Sequence, residues 1–163
     1  MAKEQLSPES SLNVKRTFQA PRERVFRAWT DPIELGRWFA PSDEYSTLVP
    51  VLELQVGGIY RVEMHHKDGN IHRVSGTYRE IKPPERIVFT WGWEQDPKAS
   101  ESLVTIEFHD FGPSTEILLT HEHLPNAEQR DKHEHGWNGC ISQLANYLNM
   151  QSQRISKVRE IKT

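Results

Sequence analysis

At 163 residues, with 36% hydrophobic and 26% charged side chains, the chain has the size of one domain and enough apolar content to build a core. Its net charge of -3, with bases interleaved among acids as in Arg22-Glu23-Arg24 and in Lys157, Arg159 and Glu160, argues against nucleic-acid binding, which needs clustered Lys and Arg. The single cysteine, Cys140, excludes an internal disulfide and a cysteine-rich zinc site, and no run reaches the roughly 20 apolar residues that span a bilayer. The polar stretch Met1 to Ser10 lacks the apolar segment of a secretory signal, so a cytoplasmic protein without a membrane role is expected.

Residues 1–11, with Pro8 among them, read as a disordered tail. Leu12 to Phe18 alternates, with Leu12, Val14, Arg16 and Phe18 on one side, and predicts a first strand. Pro21 suits the first position of a helix carrying Val25, Phe26 and Trp29. Asp31-Pro32 repeats the cap-then-proline signal and opens a second helix with Leu35, Trp38 and Phe39. From Tyr45 the period changes to two. A strand is predicted over Leu48 to Val56, where Pro50 indicates a sheet edge or a bulge. Gly57-Gly58 turns into Tyr60, Val62 and Met64 on a shared face, and Asp68-Gly69 marks a hairpin. Further strands follow over His72 to Ile81, Ile87 to Trp93, Leu103 to Asp110 and Glu116 to His123, separated by Pro83-Pro84, a loop over Gln95 to Ser100, and Gly112-Pro113-Ser114. The last of them places Ile117, Leu119, His121 and His123 on one face.

The final element returns to helical spacing. Asn126 with Gln129 three residues later has the form of a helix start. Trp137, Ile141, Leu144 and Leu148 then form one stripe, with Cys140 and Tyr147 beside it. Gly136 and Gly139 flank Trp137, and each costs about 1 kcal/mol against Ala in a helix interior. Close backbone approach or a local bend is the expected compensation. Residues 152–163 read as a charged tail. Consecutive strands on short turns must pair antiparallel, so residues 12–151 are expected to form an α+β helix-grip domain. In it, a curved antiparallel sheet of six to seven strands surrounds a long C-terminal helix, with two short helices after the first strand.

The combination of Ala20-Pro21 with Val25-Phe26, Asp31-Pro32 with Trp38, Gly57-Gly58 with Tyr60, Gly76 to Ile81, Pro84 to Trp91 and His135-Gly136-Trp137 with Leu144 resembles the single-domain homologues of the activator of the 90-kilodalton heat-shock protein ATPase. These belong to the START-related, birch-pollen-allergen-like (SRPBCC) superfamily. The resemblance runs in order from about Leu12 to Asn149 and implies a deep, largely apolar cavity between sheet and long helix. The superfamily spans lipid carriers, hormone receptors, aromatase/cyclases, dioxygenase subunits and co-chaperones, so function has to be read from the site. The heat-shock ATPase activators carry a further N-terminal domain that does much of the partner engagement, a departure from the short segment ahead of the first strand here.

Candidate cavity residues are Trp38, Phe39, Tyr60, Met64, Trp91, Trp93, Phe108, His121 and Trp137. Any one aromatic is by default core, but five tryptophans in a small domain favour a cavity lined by some of them. His121, His123, His133 and His135 suggest a zinc or copper centre only if strand end and helix start converge. His-x-His is a weak signal, and residues 133 and 135 point in different directions on a regular helix, so no metal site is expected. Glu63, Glu107, Glu116 and Glu122 alternate to the solvent side, where a carboxylate has no reason for a shifted pKa. Cys140 reads as packing. No catalytic set and no cofactor is indicated.

Three functions fit the pattern: binding of a small hydrophobic or amphipathic molecule under the long helix, a co-chaperone or stress-response interaction domain with a chaperone or other protein as partner, and an enzyme of the cyclase, dehydratase or hydrolase kind using the same cavity. The apolar sheet face and the aromatic excess place binding first. Nothing selects between a monomer and a homodimer.

Overall fold

The computed structural model describes residues 10–96 and 101–162, with side chains through residue 151. Most of the expected tail over 1–11 and of the expected 95–100 loop therefore lies outside the described residues. In chain order the elements are β1 (Leu12–Phe18), α1 (Arg22–Thr30), α2 (Pro32–Trp38), β2 (Tyr45–Leu52), β3 (Ile59–His66), β4 (Ile71–Lys82), β5 (Arg86–Trp93), β6 (Ser102–Phe111), β7 (Ser114–Glu122) and α3 (Ala127–Lys162). The seven strands form one antiparallel sheet in the order β1-β7-β6-β5-β4-β3-β2. Strands β2 to β7 are a meander on short turns, and β1 pairs with β7 from Leu12↔His121 to Phe18↔Thr115. β1 and β2 therefore lie at opposite edges, and α1 and α2 carry the chain across the sheet between them. The sheet curls around α3 in a helix-grip fold. No helix among the described residues is long and apolar enough to cross a membrane.

Local chemistry sets the boundaries. Asp31 Oδ1 accepts from the backbone N–H of Ile33 at 2.9 Å and of Glu34 at 3.1 Å, satisfying two donors at the start of α2, with Pro32 at its first position. Pro21 sits one residue earlier than expected. It is the extended cap of α1 (φ -69°, ψ 157°), and the first helical residue is Arg22. β2 begins and ends earlier than the expected 48–56, and its register slips between Leu48 and Val51 around Pro50, at a sheet edge, as the proline indicates. The chain then leaves the sheet, and Leu54 and Val56 are exposed. β7 ends at Glu122. His123 takes φ 68° and turns out to solvent, so it does not share the buried face with His121.

The inward residues of β3 to β7 include Val62, Met64, Val74, Phe89, Ile106, Phe108, Ile117 and Leu119, all buried. On α3 the stripe of Trp137, Cys140, Ile141, Leu144 and Leu148 is buried against this surface. Asn126 Oδ1 accepts the Gln129 N–H at 2.9 Å, which caps the helix as its sequence suggests. Beyond residue 151 the expected charged tail continues the helix to Lys162.

Gly139 has a direct packing reason. A Cβ there would overlap the backbone carbonyl of Pro41, so the chain between α2 and β2 lies against the bare helix. Gly139→Ala is expected to destabilise the protein by about 1–3 kcal/mol, as overpacking does. Urea unfolding checks this, and an unchanged midpoint would contradict the close approach.

Candidate functional site

A cavity of about 470 Å³ lies between β5, β3 and the first turns of α3. Its helix wall is a stripe of Gln129, His133, Gly136 and Cys140 at spacings of four, three and four, with Lys132 and Trp137 beside it. Trp91 and Trp93 of β5, Met64 of β3 and Phe39 at the end of α2 supply the apolar opposite wall. Gln95, Asp96 and Lys132 are exposed and form a polar rim where the cavity meets solvent.

A hydrogen-bonded chain crosses from helix to sheet behind the apolar wall. Trp137 Nε1–H donates to His121 Nδ1 at 3.0 Å. An imidazole that accepts at Nδ1 carries its proton on Nε2 when neutral, and His121 Nε2 meets Ser102 Oγ at 2.7 Å. The Ser102 hydroxyl donates onward to the Trp91 carbonyl at 3.2 Å. Trp137, His121 and Ser102 are buried with these polar side-chain atoms partnered, whereas the buried Trp91 Nε1 has no hydrogen-bond partner among the described residues. Desolvation, with a smaller contribution from His133, pushes the His121 pKa down to about 3, so the ring is neutral at physiological pH.

This Ser–His contact is not a nucleophile with its base. A base must accept the serine proton at Nε2, whereas Nε2 here donates. Neither Ser102 nor His121 borders the cavity.

A second pair works in parallel. Trp93 Nε1–H donates to His133 Nε2 at 3.1 Å, and His133 Nδ1–H donates to the Gln129 carbonyl at 2.7 Å. Desolvation lowers the His133 pKa, partly offset by the carbonyl bond. The two imidazole centroids are 5.1 Å apart, edge to face. Of the four histidines considered for a metal, His121 and His133 meet, while His123 and His135 are exposed. Among the described residues no group of three or more His, Cys, Asp or Glu is arranged to hold a metal ion. Burial pushes the Cys140 thiol up to about 12, so it faces the cavity as a neutral group.

The nine candidate residues divide by position. Phe39, Met64, Trp91, Trp93 and Trp137 border the cavity. Trp38 donates its Nε1–H to the Ala28 carbonyl at 2.9 Å and packs edge-on against Trp29, so it belongs to the α1–α2 core. Phe108 is covered by Phe26 of α1, with ring centroids 5.2 Å apart. Tyr60 donates to the Thr90 carbonyl at 2.6 Å and stands beside a void of only about 20 Å³ among Trp29, Tyr78 and Phe89. His121 supports the wall from behind. Sequence reasoning missed Lys132 and Gly136 as cavity residues, although both continue the Trp137–Cys140 spacing backwards along α3, and it read Cys140 as packing alone. Glu63 also differs from expectation: hydrogen bonding from Arg73 holds its carboxyl below the usual range on the outer face.

Residues 19–149 match the family described as Activator of Hsp90 ATPase homolog 1-like protein, AHSA1. The chain belongs to this family. The human Activator of 90 kDa heat shock protein ATPase homolog 1 is 27% identical over 130 residues, which cover 80% of this chain and 34% of that protein. The chain thus spans about a third of the length of this curated relative. A Chromobacterium violaceum structure is 28% identical with a TM-score of 0.78, covering 85% of this chain and 96% of that one. The AHSA1 protein of Silicibacter pomeroyi is 28% identical with a TM-score of 0.76, covering 87% and 99%.

The buried histidine makes stability pH-dependent in this AHSA1 chain. An unfolded His titrates near 6.5, whereas folded His121 does so at about 3, so between those values the unfolded state binds more protons. The stabilising contribution is present above about pH 6.5 and is lost as pH falls toward 3, by at most about 1.4 kcal/mol per unit. Chemical unfolding at pH 7 and pH 5 should show a smaller acid loss for His121→Gln than for the wild type. Equal losses would contradict a neutral, buried His121.

Proposed function

We propose that this chain binds a small apolar or amphipathic molecule in the cavity between β5 and α3. The unfilled space of about 470 Å³ carries the reading. Elsewhere on the same concave face the rings of α1 and α2 close the core to a void of about 20 Å³, so sheet curvature alone does not account for the larger cavity. The volume falls in the range of small-molecule pockets, and walls of Trp91, Trp93, Trp137 and Phe39 reward an apolar body at about 25 cal/mol per Å² removed from water. Association costs consume part of that gain. Gln95, Gln129 and Lys132 at the rim offer donors for one polar end of the ligand.

Family membership supports a second reading, a co-chaperone-like role through a protein partner, in keeping with the name of the human relative. An enzymatic reading would have to draw on the titratable groups of the cavity wall. There burial lowers the His133 pKa and raises that of Cys140, His72 is half-buried on β4 and Asp96 stands at the exposed rim, and no hydrogen bond among the described residues pairs any two of them.

Three tryptophans on the wall make binding observable. Titration with 1-anilinonaphthalene-8-sulfonate should show saturable one-to-one energy transfer from tryptophan. Cys140→Phe, which directs a ring into the cavity, should weaken this by tenfold or more while near-ultraviolet circular dichroism stays native-like. No saturable binding, or equal binding by the filled variant, would remove the cavity reading and leave the protein-partner one.

A further inference from the structure

Gly136 is the cavity residue whose identity neither the helix nor the packing around it requires. It lies inside α3, where glycine is the least favourable residue after proline. Its backbone is not in the left-handed region that would demand glycine. A Cβ built on it meets nothing within 4 Å, whereas one on Gly139, a single turn away, would run into Pro41. Two glycines in one helix segment thus have opposite explanations: one admits a neighbouring backbone, and the other faces empty space bordered by Trp91, Trp93 and His133.

From this we infer that Gly136 is a specificity-determining position, and that the bound molecule lies directly against the bare backbone of α3 there. The inference rests on the cavity being a ligand site. It adds which part of the cavity the ligand must fill. Gly136 lines the same cavity as Trp91 and Trp93, so a side chain there would take up part of the space between helix and β5, and the residue limits the thickness of the apolar body admitted. The helix retains a residue that weakens it at a place where a methyl group would be free of clashes.

Stability and binding should therefore move in opposite directions. Gly136→Ala should raise Tm by about 3 °C through helix propensity, and should weaken binding of 1-anilinonaphthalene-8-sulfonate at least fivefold. Gly136→Leu should weaken it more than tenfold. A lowered Tm for Gly136→Ala would overturn the inference by showing that the space is not open. Unchanged affinity in both variants, with Cys140→Phe still impaired, would overturn it while leaving the cavity reading intact. A wild type that binds no probe would overturn both.

Discussion

Trp137 Nε1 donates to His121 Nδ1 across the helix–sheet boundary, and the position of α3 depends on that bond. His121 is fully buried on β7 and passes the chain on to Ser102 and the Trp91 carbonyl, so one imidazole ties the helix to three strands. A buried donor left without its acceptor costs about 1–3 kcal/mol, so rotation of α3 about its axis or slippage along it would break several bonds together. Trp93 and His133 make a second cross-link one helical turn earlier. On the other side, Gly139 lets the Pro41 backbone touch the helix. With α3 fixed on both flanks, the space between Trp91, Trp93 and Gly136 need not be filled to hold the fold together.

The concave face of the sheet is consequently divided. α1 and α2 bring Phe26, Trp29, Trp38 and Phe39 against β3 to β6, where rings pack edge to face, as in Phe26–Phe108 and Trp29–Trp38. α3 covers the other portion, where its stripe changes along the helix. Ile141, Leu144 and Leu148 pack fully, and one to two turns earlier Gly136 and His133 leave room. The outer face carries half-buried ion pairs such as Arg73–Glu63 and the bidentate Arg61–Glu94.

Much of the fold was legible because period-two alternation and helical spacing report which face of an element is buried. The first strand, the Asp31 cap, the Asp68-Gly69 hairpin and the α3 stripe all follow from such local signals. Alternation does not report what covers the buried face. Phe108 and Trp91 both point inward from neighbouring strands, yet Phe26 covers one and the cavity meets the other. Trp38 and Phe39 are adjacent on the chain and part ways for the same reason. Pro50 marked the edge and the bulge correctly, but the ends of that strand were misplaced, because alternation continues past Leu52 into residues that leave the sheet. His123 left its expected face through a single positive φ, which no spacing rule foresees in a non-glycine residue. Gly136 and Gly139 look alike in sequence, and only the tertiary position of Pro41 separates them.

Membership of the AHSA1 family accounts for the architecture, while the binding function proposed for this chain rests on the unfilled cavity beneath α3. Native mass spectrometry of the protein purified from its own cells tests that claim most directly. The account predicts a population heavier than the apo chain by one small molecule, which organic extraction releases and identifies as apolar or amphipathic. A single apo mass, unchanged when such extracts are added back, would contradict it.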